Sequence, residues 1–406
     1  MTTASQELSG RATRTGQGFW IVAAISFLYL FAVSAPSPLY GVYAAQWHFS
    51  PTTVTAVFGV YALTLIAAML LTGSLSDALG RRPVIAIALV LQCVAMVLFM
   101  FASNVEWLYA ARLTQGFATG MVTAAVAAAL VDLQPTGRPG LAALVNAAVP
   151  AAGLAFGALG SAALVRYAPA PTRLVYGLLL AGFVALIGLA LGRLPETVAN
   201  RRRARLGSRV GVERPLRRAF LATVPVLVAV WALCGLYLSL GPSLALKLEH
   251  SRNAMVGGTV IFLLCGLGCV TGIVVHNWPP RRVMLLGCAL LGTGVLITVA
   301  SVITEVPALL YVGTAVSGCG FGAGFLGSFR TLSGLAVPQH RSELIAAIYV
   351  VAYLSFSVPG VIAGVFTTRV GLYDTAIGYG LVVAALAWIA LPATARHCYR
   401  ADTPAS

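Results

Sequence analysis

The sequence predicts an all-α integral membrane protein with twelve transmembrane helices in two pseudo-symmetric six-helix bundles. Three observations predict it. Hydrophobic residues make up 59% of the chain and charged residues only 9%, against about 25% charged in a typical soluble domain. Twelve apolar runs each reach the roughly 20 residues that a membrane-spanning helix needs. The charged residues gather in the gaps between these runs. A soluble fold could not hide so much apolar surface, because its outside must face water.

The apolar runs set the order of the helices. They cover residues 19–44, 52–75, 83–102, 106–132, 139–166, 172–192, 218–241, 254–275, 283–302, 306–333, 341–368 and 371–392. The first run is long enough to stay as a helix after a polar tail, unlike a cleaved signal peptide. The predicted parts are a tail at 1–18, an N-terminal bundle at 19–192, a linker at 193–217, a C-terminal bundle at 218–392 and a tail at 393–406.

Basic residues in the gaps predict the orientation. With the N-terminus inside, nineteen Arg fall on the cytoplasmic side and five basic residues on the other, which places both termini in the cytoplasm. The linker carries Arg201, Arg202, Arg203, Arg205 and Arg209. We expect it to contact anionic lipid headgroups, with a regulatory docking site as the alternative. Abundant Ala and Arg beside a single Lys indicate a bacterium, and hence its inner membrane.

Composition also excludes other classes of protein. The formal charge is +15, but the Arg residues lie in short gaps between apolar runs, so a nucleic-acid partner is not expected. His, Asp, Glu and Cys form no cluster at catalytic or metal-ligand spacing. We therefore predict no metal, no cofactor and no enzymatic activity.

The two halves of the chain resemble each other. Leu108, Tyr109, Gly116 and Gly120 recur 202 positions later as Leu310, Tyr311, Gly318 and Gly322. Two related six-helix halves around a central cavity support alternating access of a small-molecule substrate. One chain would hold the complete pathway, so we expect a functional monomer.

The gap after the second run carries the most specific motif. It reads Gly73-Ser-Leu75-Ser-Asp77-Ala78-Leu-Gly80-Arg81-Arg82-Pro83. The stretch resembles the signature loop of the major facilitator superfamily, Gly-x-Leu-x-Asp-Arg/Lys-x-Gly-Arg-Arg, and departs from it only at Ala78. The resemblance implies the major facilitator fold. Leu194-Pro195-Glu196-Thr197, after the sixth run, also resembles a feature of this family.

The resemblance further implies a conformational latch. In the family, the Asp and a following Arg of this loop form a charge network with an acid at the cytoplasmic end of helix four, and that network stabilises the outward-facing state. The matching residues here are Gly73, Asp77, Gly80, Arg81, Arg82 and Asp132. The alternative is that these are ordinary helix-end charges without a switching role.

The fourth run contains an Arg deep in an apolar segment. Arg112, Gln115 and Thr119 lie at helical spacing on one face, and a charge at this depth is usually turned toward water or a partner. The stretch resembles the Arg-x-x-Gln-Gly element of proton-coupled members of the family, in which the Arg serves proton transfer or substrate binding. Alternatively, Arg112 snorkels to the outer interface.

Small residues on the fourth and fifth runs predict close helix packing. Gly116 and Gly120 lie on the fourth run, and Gly153 and Gly157 form a small-xxx-small face on the fifth. The fifth run resembles the Gly-rich element of the drug/proton antiporter branch, in which a Gly-Pro pair stands where this chain has Gly157-Ala158.

Aromatic residues and a proline-broken first helix predict the substrate path. Pro36 and Pro38 interrupt the backbone hydrogen bonds of the first run, and broken helices often line transport pathways. The candidate path residues, in addition to Arg112, Gln115 and Thr119, are Tyr29, Pro36, Tyr40, Tyr61, Trp231, Tyr237 and Tyr353. For each aromatic residue the alternative is lipid contact or plain packing.

The resemblance implies secondary active export of small organic molecules, drugs included, in exchange for protons. Metabolite uptake by symport or facilitated diffusion is the alternative. The eleven carboxylates lie in loops or near predicted helix ends, so proton coupling rests on the resemblance and not on an identified carrier. The lack of a mid-membrane acid argues against a site for cations and leaves neutral, zwitterionic and anionic substrates open, with Arg112 as an anchor.

Overall fold

The computed structural model describes the backbone of residues 2–73, 75–135, 137–138, 140–198, 210–335 and 341–397. Within these ranges it does not describe the side chains of residues 2–15, 77, 335, 341–342 and 392–397. Asp77, five Arg of the linker and both chain ends therefore lie outside the described side chains.

The described residues form helices throughout. The α-helices are α1 Thr2–Ser34, α2 Pro36–Trp47, α3 Pro51–Thr72, α4 Leu75–Leu79, α5 Arg81–Met100, α6 Val105–Asp132, α7 Leu141–Tyr167, α8 Pro171–Arg193, α9 Arg217–Ser239, α10 Gly241–Leu248, α11 Ala254–Val274, α12 Pro280–Thr304, α13 Pro307–Leu335, α14 Arg341–Val370 and α15 Leu372–His397. A 3-10 turn, Arg214–Leu216, precedes α9. Twelve spans among the described residues are long and apolar enough to cross a membrane, so the predicted all-α membrane fold is confirmed.

Three details refine the predicted runs, and the first of them, a break at Pro36, was expected from the sequence. The first span is divided into α1 and α2 beside Pro36, because a proline cannot donate to the preceding turn. The seventh span continues into α10, which has a proline, Pro242, in its first turn. Helix α1 starts at Thr2, inside the predicted polar tail, because residues add readily to a helix that is already nucleated.

The repeated glycines bring corresponding helices together in both halves. Gly116 and Gly120 face α3, and a Cβ at Gly120 would lie 2.3 Å from an α3 carbonyl oxygen. Gly318 and Gly322 face α11, and a Cβ at Gly322 would lie 2.0 Å from an α11 carbonyl oxygen. Each pair lets two backbones approach more closely than larger residues would allow, so the sequence repeat recurs as a repeat in packing.

The halves meet along two helix pairs, α3 with α14 and α7 with α11. The Thr52 hydroxyl donates to the Gly364 carbonyl at 3.0 Å, and a Cβ at Gly258 of α11 would lie 2.5 Å from that of Ala162 in α7. By the alternation of the spans, these contacts lie on the side of the bundle opposite the basic linker. The structure is therefore closed between the halves on that opposite side.

Candidate functional site

The break in the first span creates a hydrogen-bond acceptor inside the N-terminal half. Pro36 has no N–H, so the carbonyl of Ala32, one turn earlier, loses its helical donor. The side-chain amide of Gln115 donates to this carbonyl at 3.1 Å. The broken backbone and the polar face of α6 therefore meet directly, which explains why both features occur in one bundle.

Arg112 lies beside this junction and is fully buried. Its Nε donates to the Tyr40 hydroxyl at 2.8 Å. Its Nη1 donates to the Val33 carbonyl at 3.1 Å and to Gln115 Oε1 at 2.6 Å. The guanidinium thus points into the N-terminal half, toward the first span. This geometry does not match the snorkelling alternative, in which the side chain would reach the membrane interface.

Four aromatic rings surround the Arg112 guanidinium. The Phe58 ring centre lies 4.7 Å from its central carbon, and those of Tyr61, Tyr40 and Phe99 lie at 5.3, 5.7 and 5.7 Å. Ring faces attract a cation, and more strongly where water is excluded. Tyr40 and Tyr61 were predicted from the sequence. Phe58 and Phe99 were not, because phenylalanines in an apolar run give no polar signal.

A row of rings leads from this site across to the C-terminal half. The ring centre of Phe58 lies 6.5 Å from that of Phe356, and the ring centre of Phe356 lies 6.5 Å from that of Trp231. Trp231 lies 5.2 Å from Tyr353, and Tyr353 stacks on Tyr349 at 6.1 Å. The predicted residues Trp231 and Tyr353 therefore come together with each other and adjoin the Arg112 site through two phenylalanines.

Three other predicted path residues lie elsewhere or bond within their own helix. Tyr29 is buried against Phe183 of α8, with ring centres 5.4 Å apart. Tyr237 forms a separate cluster in the C-terminal half, where its hydroxyl lies 3.0 Å from the Thr314 hydroxyl. Thr119 is buried on the Gln115 face and donates to the Gln115 backbone carbonyl at 2.7 Å. These residues do not join the aromatic row.

The predicted small face of the fifth run packs on the first span. A Cβ at Gly153 would lie 2.5 Å from the Phe27 carbonyl oxygen, and one at Gly157 would lie 2.2 Å from that of Phe31. Ser161, one turn further, donates to the Ala35 carbonyl at 2.6 Å. Helix α7 therefore packs on the first span along the face that carries Phe27, Phe31 and Ala35.

The predicted latch residues gather on the linker side of the N-terminal half. Arg81 Nε donates to Asp132 Oδ2 at 2.9 Å, and Arg81 Nη1 donates to the Ser76 hydroxyl at 3.1 Å. Gly73 ends α3. The side chain of Asp77 lies outside the described residues. The structure therefore shows the arginine–acid pair of the expected network but not its third member.

Glu196 joins this cluster, and its role was not predicted. Its carboxylate accepts from the backbone N–H of Arg81 at 2.9 Å and of Arg82 at 3.2 Å, so it caps the N-terminus of α5. The Arg82 side chain also donates to the Leu191 carbonyl. Gly80 has φ of +107°, and a Cβ there would lie 2.3 Å from Glu196 Oε2. The sequence feature that could have indicated this role is the position of Glu196, an acid just after the sixth apolar run.

Thr197 completes the contact with the end of α6. Its hydroxyl donates to Asp132 Oδ2 at 2.8 Å, the same oxygen that accepts from Arg81. The segment after α8 is thereby tied to the loop before α5 and to the end of α6. We name Ser76, Gly80, Arg81, Arg82, Asp132, Glu196 and Thr197 the linker-side clasp.

The corresponding loop of the second half is held differently. Arg330 Nη1 donates to the carbonyls of His276 at 2.6 Å and Trp278 at 3.1 Å. This loop lacks the Gly and Asp of the first copy. In this loop, therefore, a single guanidinium binds two backbone carbonyls. Within the described part of the chain, no three His, Cys, Asp or Glu side chains lie close enough to hold a metal ion.

Comparison with known proteins places this geometry in a family. The sequence profile of the Major Facilitator Superfamily matches residues 22–358. No curated protein sequence matches the chain. A solved bacterial homolog of the human lysosomal transporter Spinster, inward-facing and unoccupied, has a TM-score of 0.77 at 11% identity over 97% of this chain and 99% of that one.

Two further solved structures share the fold. The nucleoside transporter NupG has a TM-score of 0.71 at 12% identity, over 93% of this chain and 99% of that one. The human organic anion transporter MFSD10 (TETRAN) has a TM-score of 0.67 at 16% identity, over 94% and 99%. Identities this low show the fold alone. The profile match covers most of the sequence, and the chain therefore belongs to the Major Facilitator Superfamily, as a transporter that works by alternating access and not as an enzyme.

Proposed function

We propose that this transporter exports small organic molecules, drugs included, in exchange for protons. The observation that carries the proposal is the row of aromatic rings from Phe58 through Phe356, Trp231 and Tyr353 to Tyr349. The row crosses the junction between the halves, where an alternating-access transporter binds its substrate.

Such a row suits substrates with flat, apolar bodies. Aromatic side chains offer large apolar faces and stack on planar ligands, and ligand sites combine such faces with a few polar groups. The indole Nε1 of Trp231 is buried and makes no hydrogen bond to the described protein. We assign this donor to a polar atom of the substrate.

The cargo named for two structural neighbours belongs to the same broad class. A nucleoside and an organic anion are both small organic molecules. The neighbours support the size and organic nature of the proposed substrate. The exporter hypothesis rests on the resemblance of the Arg112 stretch to proton-coupled members of the family and of the Gly153–Gly157 stretch to the drug/proton antiporter branch.

In the proposed exchange, Arg112 takes part in coupling proton movement to substrate movement. Its charge lies within a closed site, so a neighbouring proton or anionic group would change the free energy of that site strongly. The proposed coupling is that protonation on one side of the membrane and substrate release on the other favour opposite states of the two halves. The side chain that carries the proton is not assigned.

Metabolite uptake is the second candidate, and one observation favours it. The described carboxylates all lie in loops or within the first or last turn of a helix, among them Glu106, Asp132 and Glu343. None of these described acids contacts Arg112 or the aromatic row. A transporter without an acidic proton carrier in its centre is compatible with facilitated diffusion.

Proteoliposomes with an imposed pH gradient test the proposal. Lipophilic dyes, antibiotics and small metabolites would be screened, with Arg112→Ala as the inactive variant. Trp388→Ala is the matched control, because Trp388 is 48% exposed and packs on Gly292 of α12, not on Arg112 or the aromatic row. We expect a dye or drug to move against its own gradient only while protons move oppositely. Movement of a metabolite alone, or of substrate and protons in the same direction, would support uptake.

A further inference from the structure

The C-terminal half encloses a cavity of about 30 Å³ among helices α9 to α13 and α15. By the alternation of the spans, the cavity lies on the side opposite the linker, where α12 ends and α15 begins. Most of its lining residues are buried, among them Leu240, Val260 and Leu310. The rings of the aromatic row lie outside this lining, so the cavity is separate from the proposed substrate path.

Short side chains form the walls of this cavity. Val295, Val299 and Val302 line it from one face of α12, because residues three and four apart share a helix face. Gly380 brings α15 close to that face, since a Cβ there would lie 2.6 Å from Val299 Cγ2. The two backbones therefore approach closely, and the short valine side chains leave space unfilled beside them.

The internal repeat shows what the C-terminal half lacks at this place. The pair Arg81–Arg82 recurs 200 positions later as Arg281–Arg282, and this offset aligns Phe99 of α5 with Val299 of α12. In the N-terminal half the Phe99 ring is buried and stacks on Tyr176, with ring centres 4.8 Å apart. Val299 has no ring, so the C-terminal half has less side-chain volume at the equivalent position.

The polar groups of the lining already have hydrogen-bond partners. The Tyr237 hydroxyl lies 3.2 Å from the Thr298 hydroxyl and 3.0 Å from the Thr314 hydroxyl. The hydroxyls of Thr298 and Thr375 each donate to a backbone carbonyl one turn earlier, at 3.1 and 2.7 Å. Among the residues that the structure describes, the buried side-chain atoms without a hydrogen bond lie outside this lining. A buried water needs two to four polar partners, so this cavity does not favour water.

Size and polarity together define the ligand class. Atoms that line an empty space lose dispersion contacts on that side, and a molecule without polar groups restores these contacts without needing a hydrogen bond. One water-sized sphere takes about 10–15 Å³ of such space, so the cavity has room for about two or three heavy atoms.

We propose that this cavity is a binding site for a small, uncharged, apolar molecule of the size of xenon or dichloromethane. Such molecules concentrate in the lipid around the protein, because water solvates apolar surface poorly. The occupant packs between the valine face of α12 and the break between α9 and α10. The site differs from the aromatic row in place and in ligand chemistry, so it does not depend on the proposed function.

Xenon alone is the first probe, because it is apolar, spherical and visible by its electron density. Crystals of the full-length protein would be pressurised with xenon before the structure is determined. We expect a xenon atom in the cavity, in contact with Val299. In nanodiscs, dichloromethane should raise the unfolding temperature saturably, because a ligand that binds only the folded state stabilises it.

A variant with a filled cavity locates the effect. Val299→Ile and Ala376→Val add carbon atoms to the lining from α12 and α15. The double variant should lose the xenon atom and the saturable response to dichloromethane. Val312→Ile is the matched control and should bind like the unmodified protein, because Val312 is 51% exposed on α13 and lies outside the lining.

An enlarged cavity provides a second test, which remains decisive where the double variant fails to fold. Leu310→Ala removes three carbon atoms from the lining, and a larger apolar cavity accepts benzene. We expect benzene to raise the unfolding temperature of Leu310→Ala and not that of the unmodified protein.

Four results would overturn the proposal. The first is a cavity without xenon in the pressurised crystals of the unmodified protein. The second is ordered water in the cavity in place of xenon. The third is full xenon occupancy in the folded double variant. The fourth is an equal effect of benzene on Leu310→Ala and on the unmodified protein, which would show that the stabilisation does not come from this cavity.

Discussion

Arg112 shows how a single residue connects the two predicted features of the N-terminal half. Its side chain bonds to the Tyr40 hydroxyl and the Val33 carbonyl of the first span. It also holds Gln115, which fills the acceptor freed by Pro36. One side chain therefore links the helix break to the polar face of α6, and its geometry depends on a fork of several donors.

Replacing Arg112 tests this dependence on geometry. We expect Arg112→Lys to lower transport at least about tenfold, because a lysine lacks the planar fork and charge-assisted hydrogen bonds are worth about 1.5–3 kcal/mol each. Thr114→Ala is the control on the same helix, since the Thr114 hydroxyl donates to the Ala110 carbonyl. Initial rates of uptake into proteoliposomes provide the measurement. Near-normal rates in Arg112→Lys would show that transport does not depend on the several donors of the guanidinium.

Gly80 is the residue whose backbone most restricts substitution. We expect Gly80→Ala to destabilise the protein by about 1–3 kcal/mol, because its φ of +107° suits only glycine. The added Cβ would also meet the Glu196 carboxylate at 2.3 Å. Gly137→Ala is the control in a neighbouring loop, because nothing lies within 4 Å of its Cβ position. Equal unfolding temperatures for the two variants would show that Gly80 is not strained.

Sequence spacing predicted which residues share a face but not what they face. The spacing of Arg112, Gln115 and Thr119 placed them together, because helical periodicity is local. Gln115 and Arg112 donate to the backbone carbonyls of Ala32 and Val33 in the first span. Pro36 marked the break in that span, but helical spacing on α6 does not show which carbonyl lies opposite it. Tyr237 was grouped with the other aromatic path residues, but it lies in a separate cluster with Thr314. An aromatic residue in an apolar run does not show which helices it will contact.

At the scale of elements, the linker-side clasp joins three chain segments that are distant in sequence. The loop before α5 supplies Gly80 and Arg81, the end of α6 supplies Asp132, and the segment after α8 supplies Glu196 and Thr197. Asp132 Oδ2 accepts from both Arg81 and Thr197. A change at this one oxygen therefore affects two segments together, as a latch requires.

The latch reading predicts a specific kinetic effect. We expect Asp132→Asn to slow turnover while leaving substrate affinity detectable, because the change removes the charge at the shared oxygen and not a substrate contact. By the family resemblance, Asp77→Asn should act in the same way. Asp374→Asn, on the opposite side of the bundle, is the control. Turnover and substrate binding would both be measured. Full turnover in Asp132→Asn would show that these residues are ordinary helix-end charges and not a latch.

The sequence predicted which segments are helices more accurately than it predicted where the helices end or are interrupted. The twelve runs agree with the spans to within a few residues, because lipid fixes the apolar length of each. The division at Pro36 was anticipated from proline chemistry. The continuation of α9 into α10 was not, because the predicted run ended at residue 241, a glycine that a proline follows. Glu196 was unassigned because capping depends on a neighbouring helix terminus.

The whole molecule is two related bundles that meet on one side. Contacts between α3 and α14 and between α7 and α11 close the side opposite the linker. The repeated glycines give each half a close helix pair at the corresponding place, α3 with α6 and α11 with α13. Alternating access moves one half against the other.

Orientation in the membrane is a prediction of the charge asymmetry. We expect replacement of Arg201, Arg202, Arg203, Arg205 and Arg209 by Glu to invert or mix the topology, because these residues dominate the positive side. Reporter fusions at both termini measure the side on which each terminus lies. Unchanged cytoplasmic reporters at both ends would show that the other basic residues suffice.

Cross-linking the closed side tests alternating access most directly. The hydroxyl oxygens of Thr52 and Thr368 lie 3.4 Å apart across the two halves, so cysteines at both positions should form a disulfide. We predict that oxidation of Thr52→Cys/Thr368→Cys stops transport in proteoliposomes and that reduction restores it, while each single variant keeps transporting after oxidation. Full transport by the cross-linked protein would contradict the account, because the halves would then carry substrate without separating on that side.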